Sequence, residues 1–124
     1  MDEDFRIMIA GGGTGGHLYP ALAIGAEIMN RKPNATVHYV GSKFGLEARV
    51  LPERGLPHTL LPISGLQRSF SPRSIGRNLM LVGRVPLALL KVRSLCRSMK
   101  PNVIVGTGGY ASALPVKVGI GWKI

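Results

Sequence analysis

A histidine stands directly after a run of small residues, Gly11-Gly12-Gly13-Thr14-Gly15-Gly16-His17. Glycines let a backbone approach an anion closely. Where such a loop opens a helix, the first N–H groups and the positive end of the helix dipole add to the attraction. Three chemistries fit in part. Gly11-x-Gly13-x-x-Gly16 satisfies the dinucleotide pattern, which also asks for an acid at the end of the second strand to hold the ribose hydroxyls. That place reads Val40-Gly41-Ser42-Lys43, so only an NADP-dependent version survives, through Lys43. A P-loop needs lysine after its last glycine; His17 stands there, and the pattern fails. The third is a phosphate-binding loop whose next residue does chemistry, since a neutral imidazole near pH 7 can take a proton from a sugar hydroxyl. On position alone His17 serves equally well as a structural or helix-capping histidine.

The other reactive side chains are less informative. His38 and His58 belong to no motif and read as structural. The three histidines have no metal-ligand spacing, so neither a metal nor a cofactor is expected. Cys96, the single cysteine, has no partner for an internal disulfide, which points to a reducing compartment. It sits in an expected helix among apolar and basic residues and reads as a buried small hydrophobe rather than a nucleophile.

The elements around the loop alternate. Phe5–Ala10 is a short apolar run ending in glycines, a buried strand. From His17 to Arg31 apolar residues recur at helical spacing, with Pro20 placed in the first turn. Thr36–Val40 is a second strand, Glu47–Glu53 a short helix, and His58–Ile63 a third strand bounded by prolines. Residues 64–72 form a polar loop with one aromatic, Phe70. Pro72–Met99 reads as helical, with Pro86 expected to break or kink it into two pieces. Asn102–Val105 is a fourth strand ending in a second glycine loop, Gly106-Thr107-Gly108-Gly109-Tyr110, and residues 111–121 form a last helix. Strand and helix in strict alternation specify an α/β fold, a Rossmann-like doubly wound parallel sheet. Its ligand crevice lies beyond the carboxyl ends of the strands, where the two glycine loops fall. The chain ends at Ile124 with no strand after the last helix, as a fragment would.

Charge is distributed unevenly. Sixteen Lys and Arg oppose six Asp and Glu, for a formal +10. All the acids lie within the first 53 residues, which carry a net −1; the remaining 71 carry +11 and no acid. A field this one-sided attracts phosphates in nucleic acid, anionic lipid or a diphosphate substrate. Nucleic acid is disfavoured, because the seven aromatic residues form no stacking cluster or reader motif. The acidic Met1-Asp2-Glu3-Asp4 start is unlike a secretory signal. The longest apolar candidate, Leu79–Leu95, is interrupted by Arg84, Pro86, Lys91 and Arg93, so no membrane span is expected.

Four stretches, in order, resemble the MurG family of glycosyltransferases: Gly-Gly-Gly-Thr-Gly-Gly-His-Leu-Tyr-Pro at 11–20, Gly41-Ser42 with Glu47, Ile63-Ser64-Gly65-Leu66, and Lys100-Pro101-Asn102-Val103-Ile104-Val105-Gly106-x-Gly108-Gly109-Tyr110-Ala111-Ser112. Together they cover essentially the whole chain. The resemblance implies the N-terminal, acceptor-binding half of a GT-B glycosyltransferase. Such an enzyme moves N-acetylglucosamine from UDP-N-acetylglucosamine to an undecaprenyl-diphosphate-linked N-acetylmuramoyl pentapeptide, with inversion. Carried over, His17 is the general base. Thr14, Gly15 and Gly16 meet the donor's sugar-diphosphate side. Gly13, Gly108, Gly109 and Tyr110 form the acceptor diphosphate pocket, and Glu47 supports the site. The family's donor-contacting His-Glu-Gln-Asn segment and donor domain lie beyond the last residue, so the chain alone is expected to be inactive. A split polyprenol-linked transferase subunit is the alternative within this chemistry.

The same resemblance implies a peripheral patch at the cytoplasmic face of the membrane. The residues that fit it are Phe70, Arg73, Ile75, Arg77, Leu79 and Arg84, on a segment with more apolar residues than one buried helical face requires. The competing reading is a helix that covers the sheet and leaves its arginines in water.

Overall fold

The computed structural model describes residues 4–63 and 72–124. Phe70 lies outside the described residues, as do the side chains of Arg77 and Tyr110. The elements are β1 (Arg6–Gly11), α1 (Gly15–Arg31), β2 (Thr36–Ser42), α2 (Glu47–Glu53), β3 (His58–Leu61), α3 (Pro72–Met99), β4 (Val103–Gly108) and α4 (Tyr110–Gly121). The four strands form one sheet in the order β3-β2-β1-β4, every described pair parallel.

The strand residues alternate between two cores, as the period of two requires. Met8 and Ala10 of β1 face a cluster with Ala88, Val92 and Cys96 of α3 and Ala111 and Val118 of α4. Ile7 and Ile9 face the opposite cluster, with Leu18, Ala21 and Leu22 of α1 and Val50 and Leu51 of α2. Helices therefore cover both faces, and the sheet is doubly wound as the alternation of elements predicts. The chain moves from β1 to β2 and β3 on one side and then crosses back to lay β4 on the other. The reversal of strand order thus falls between β1 and β4.

Three local expectations are corrected. The first glycine loop is shorter than the sequence implies: Gly11 stays in β1 and Gly15 and Gly16 open α1, leaving only Gly12, Gly13 and Thr14 between them. Pro20 therefore sits in the second turn of α1, not the first. Finally, α3 runs unbroken through Pro86. A proline removes one N–H and crowds one carbonyl. Here the buried stripe Ala88, Val92 and Cys96 holds the following turns against the sheet, and the helix continues across the defect.

Candidate active site

The carboxyl ends of β1 and β4 bring the two glycine loops together. Ala10 pairs with Gly106, but Gly11 pairs with Gly108, so β4 carries one extra residue, Thr107, opposite this step. A bulge of this kind re-aims what it carries. The Thr107 carbonyl lies 3.2 Å from Nδ1 of His17, and the Thr107 hydroxyl donates to the His17 carbonyl at 2.8 Å. A carbonyl oxygen only accepts, so the proton of this bond sits on Nδ1. In the neutral ring Nε2 then holds a lone pair, and it has no hydrogen-bond partner among the described residues. The ring packs against Gly108, where a Cβ would collide with it.

The loops also lock backbone to backbone. The Gly12 N–H donates to the Gly108 carbonyl at 3.3 Å, and a Cβ on Gly109 would run into the Gly12 carbonyl. Gly109 has φ 83° and ψ 172°, a region open essentially only to glycine. It ends the loop and starts α4. Thr14 occupies the corresponding place before α1 with no side-chain cap, and α4 likewise has none. Two helix starts with uncapped N–H groups therefore stand at the same end of the sheet, beside the imidazole.

Glu47 is the least expected member. It is completely buried, at 0% exposure, at the start of α2. Its carboxylate accepts from the Gly13 N–H at 2.8 Å and from the Ser42 N–H at 2.6 Å. Gly12, Gly41 and Gly45 close around it, each at a point where a Cβ would fall on the Glu47 side chain. Sequence reasoning named Glu47 only as a support. The glycines surrounding it, at positions 12, 41 and 45, were the available signal. The dinucleotide pattern wants an acid at the end of β2, and this acid is near that place, but it faces inward and cannot reach a ribose. Gly13, placed in the diphosphate pocket by resemblance, has its N–H engaged by Glu47 rather than open.

The other titratable groups are structural. Nε2 of His38 meets the Thr59 hydroxyl at 2.8 Å, and Nδ1 of His58 meets the Leu56 carbonyl at 2.7 Å. Burial first, and then the neighbouring His58, lower the His38 pKa. Cys96 is buried and its thiol pKa is raised by desolvation, which suits a packing residue. Among the described residues no three His, Cys, Asp or Glu gather as metal ligands. An apolar groove of about 590 Å³ opens at the other end of the sheet, beside Leu22, Met29, Val37, Tyr39 and Pro57. Burial raises the Tyr39 pKa there, against a smaller lowering by Arg54. It is far from the glycine loops and offers no comparable chemistry.

On α3, Ile75, Leu79, Leu87 and Leu90 are exposed, Leu79 at 68%, and Arg73 is exposed while Arg84 is half-buried. The Arg84 guanidinium sits 5.4 Å from the centre of the Phe44 ring, tying α3 to the β2–α2 loop. The helix thus covers the sheet with Ala88, Val92 and Cys96 of its second half and presents exposed apolar side chains along both halves, with Arg73 exposed near its start. Among the described residues no helix is long and apolar enough to cross a membrane.

These features define a doubly wound α/β domain whose crevice opens at the β1–β4 switch point, the class that takes ligands beyond its strand ends. Residues 7–118 match the N-terminal domain of glycosyltransferase family 28, and the chain belongs to that family. It is similar to the UDP-N-acetylglucosamine–N-acetylmuramyl-(pentapeptide) pyrophosphoryl-undecaprenol N-acetylglucosamine transferase of Desulforudis audaxviator, 50% identical over 105 residues, which are 85% of this chain and 27% of that protein. The protein of the same name from Chlorobaculum tepidum is 41% identical over 108 residues, 87% of this chain and 30% of that protein. The crystal structure of Acinetobacter baumannii MurG superposes with a TM-score of 0.72 at 20% identity, over 97% of this chain and 33% of that one; this match speaks for the fold. The chain spans about a third or less of each of these proteins.

Proposed function

We propose that this chain is the acceptor-binding half of an inverting glycosyltransferase. The reaction is the one named in its relatives: transfer of N-acetylglucosamine from UDP-N-acetylglucosamine to an undecaprenyl-diphosphate-linked N-acetylmuramoyl pentapeptide in peptidoglycan synthesis. The observation that carries the reading is the bond between Nδ1 of His17 and the Thr107 carbonyl. It leaves Nε2 as a base beside two uncapped helix starts, and a sugar diphosphate needs both: donors for its phosphates and a base for the attacking hydroxyl. In this mechanism Nε2 takes the proton of the acceptor hydroxyl. The oxygen forms a bond to the anomeric carbon as the bond from that carbon to the UDP oxygen breaks, and UDP departs. Thr14, Gly15 and Gly16 offer N–H groups to the donor side. Gly108, Gly109 and Tyr110, at the start of α4, serve the acceptor diphosphate.

Arg73, Ile75 and Leu79, exposed on the first half of α3, with the half-buried Arg84 beyond them, seat the domain peripherally on the anionic cytoplasmic face of the membrane, where a polyprenyl acceptor resides. In the relatives the matched region is part of one longer chain, which favours an undivided transferase over a split subunit. The NADP reading would need Lys43, which is exposed, and has no acid available for a ribose. Transfer requires the donor domain, so the 124 residues alone should show no turnover.

The test is an NMR titration with a short-chain analogue of the lipid-linked muramoyl pentapeptide, with NADPH and duplex DNA as controls. Shifts at His17 and at 108–110, with both controls silent there, support the reading. A response to NADPH with none to the analogue would replace it with a dinucleotide enzyme.

A further inference from the structure

We propose that Glu47 is a positioning residue for the first glycine loop: an anion belonging to the chain itself that occupies the loop's leading donor and so fixes where a phosphate can sit. The inference rests on the diphosphate reading above and deepens it.

A fully buried carboxylate is costly unless its charge is answered. Among the described residues Glu47 forms no ion pair; its charge is met by two backbone N–H groups, from Gly13 and Ser42. Hydrogen bonds to an ionised acceptor are short and strong, and these two join the β1–α1 loop to the end of β2. The space for the carboxylate exists because residues 12, 41 and 45 have no side chain to fill it. Three glycines, one in the β1–α1 loop, one near the end of β2 and one in the β2–α2 loop, thus serve one acid.

Two consequences follow. A loop of glycines would otherwise sample many conformations, at an entropic cost to any ligand that ordered it. Anchored at Gly13, it is ordered before the ligand arrives. Moreover, the Gly13 N–H is already engaged and a negative charge lies behind it, so an incoming phosphate is directed onward to the N–H groups of Thr14, Gly15 and Gly16. These open α1 without a side-chain cap, one turn or less from His17. Glu47 does not touch substrate in this arrangement; it acts through the loop.

The experiment follows backbone amides of the chain while inorganic pyrophosphate is added, for the native sequence and for Glu47→Gln. The glutamine has the same shape but only one accepting oxygen, so one of the two N–H bonds is lost. In the native chain the shifts should fall on Thr14, Gly15 and Gly16, with the Gly13 amide unmoved and slow to exchange. In Glu47→Gln the Gly13 amide should exchange faster and join the shifting set, and pyrophosphate should bind about tenfold more weakly, some 1.4 kcal/mol. A folded variant with native affinity and the native shift pattern would make Glu47 merely structural and overturn the proposal. If the variant does not fold, the native chain decides alone: a Gly13 amide that shifts with pyrophosphate as much as its neighbours overturns it. Silence at every loop amide of the native chain would instead remove the diphosphate reading, and this inference with it.

Discussion

The proton on Nδ1 of His17 is assigned by a carbonyl, not by a carboxylate. Thr107 can orient the ring without adding a charge to it, so the base is held in one tautomer and one rotamer by main chain. A long-range proton–nitrogen spectrum at pH 8 should therefore show Nδ1 as the protonated nitrogen and Nε2 as the bare one; the reverse assignment would remove His17 as the base. Gly109 is the other position where a single atom decides. Its φ of 83° and the Gly12 carbonyl beside it leave no room for a methyl group. Gly109→Ala should destabilise the fold by on the order of 2 kcal/mol, read as a lower urea midpoint at unchanged slope. At this scale the sequence was informative about residue type and silent about partners. His17 after a glycine run signals chemistry, but the carbonyl that orients it is 90 positions away, and no local pattern encodes such a contact. Glu47 is similar: its helix was legible, whereas its burial depends on glycines contributed by two loops and a strand.

At the level of elements, the alternation of short apolar runs and helical periodicities was enough to specify the sheet and both helical layers, most plainly at β1, which is buried on both faces and reads as a continuous apolar run. Boundaries were less legible where glycine is involved, since it continues a strand at Gly11 and opens a helix at Gly15 with no side chain to mark the change. Pro86 misled because packing of the downstream stripe outweighs a local defect. The defect persists as one missing N–H, so Pro86→Ala should raise stability by about 2 kcal/mol, seen as a higher melting temperature with α3 otherwise unchanged. The β2–β3 pair carries a second testable property. His38 has a pKa lowered mainly by burial, so the unfolded chain binds this proton more readily than the folded one. Its neutral form contributes fully above the ordinary value of 6.5, and that contribution is lost as pH falls from there towards the folded value. Urea midpoints at pH 7.5 and 5.5 should differ in this sense, and His38→Gln should flatten the difference.

For the whole molecule, the separation of charge is the dominant feature. Every residue after Glu53 is neutral or basic, and α3 displays part of that charge together with exposed leucines. Binding to vesicles containing anionic lipid should weaken steeply as salt is raised. Leu79→Asp should lower the partition by about tenfold, because it both removes an inserting side chain and adds a repelled charge. Since Leu79 is 68% exposed, its replacement should leave the melting temperature nearly unchanged. A loss of binding accompanied by unfolding, or no loss at all, would detach α3 from the membrane reading.

The pairing of β1 with β4 also sets a timetable. Strand β1 must wait for β4, and the imidazole waits with it, because the Thr107 carbonyl that orients it lies 90 residues downstream. Closing so long a loop is slow, whereas β1 can meet β2 much earlier. A nascent chain should thus possess its glycine turn and its histidine well before it possesses a base, and a chain released before Val103 would carry the loop with nothing to aim it.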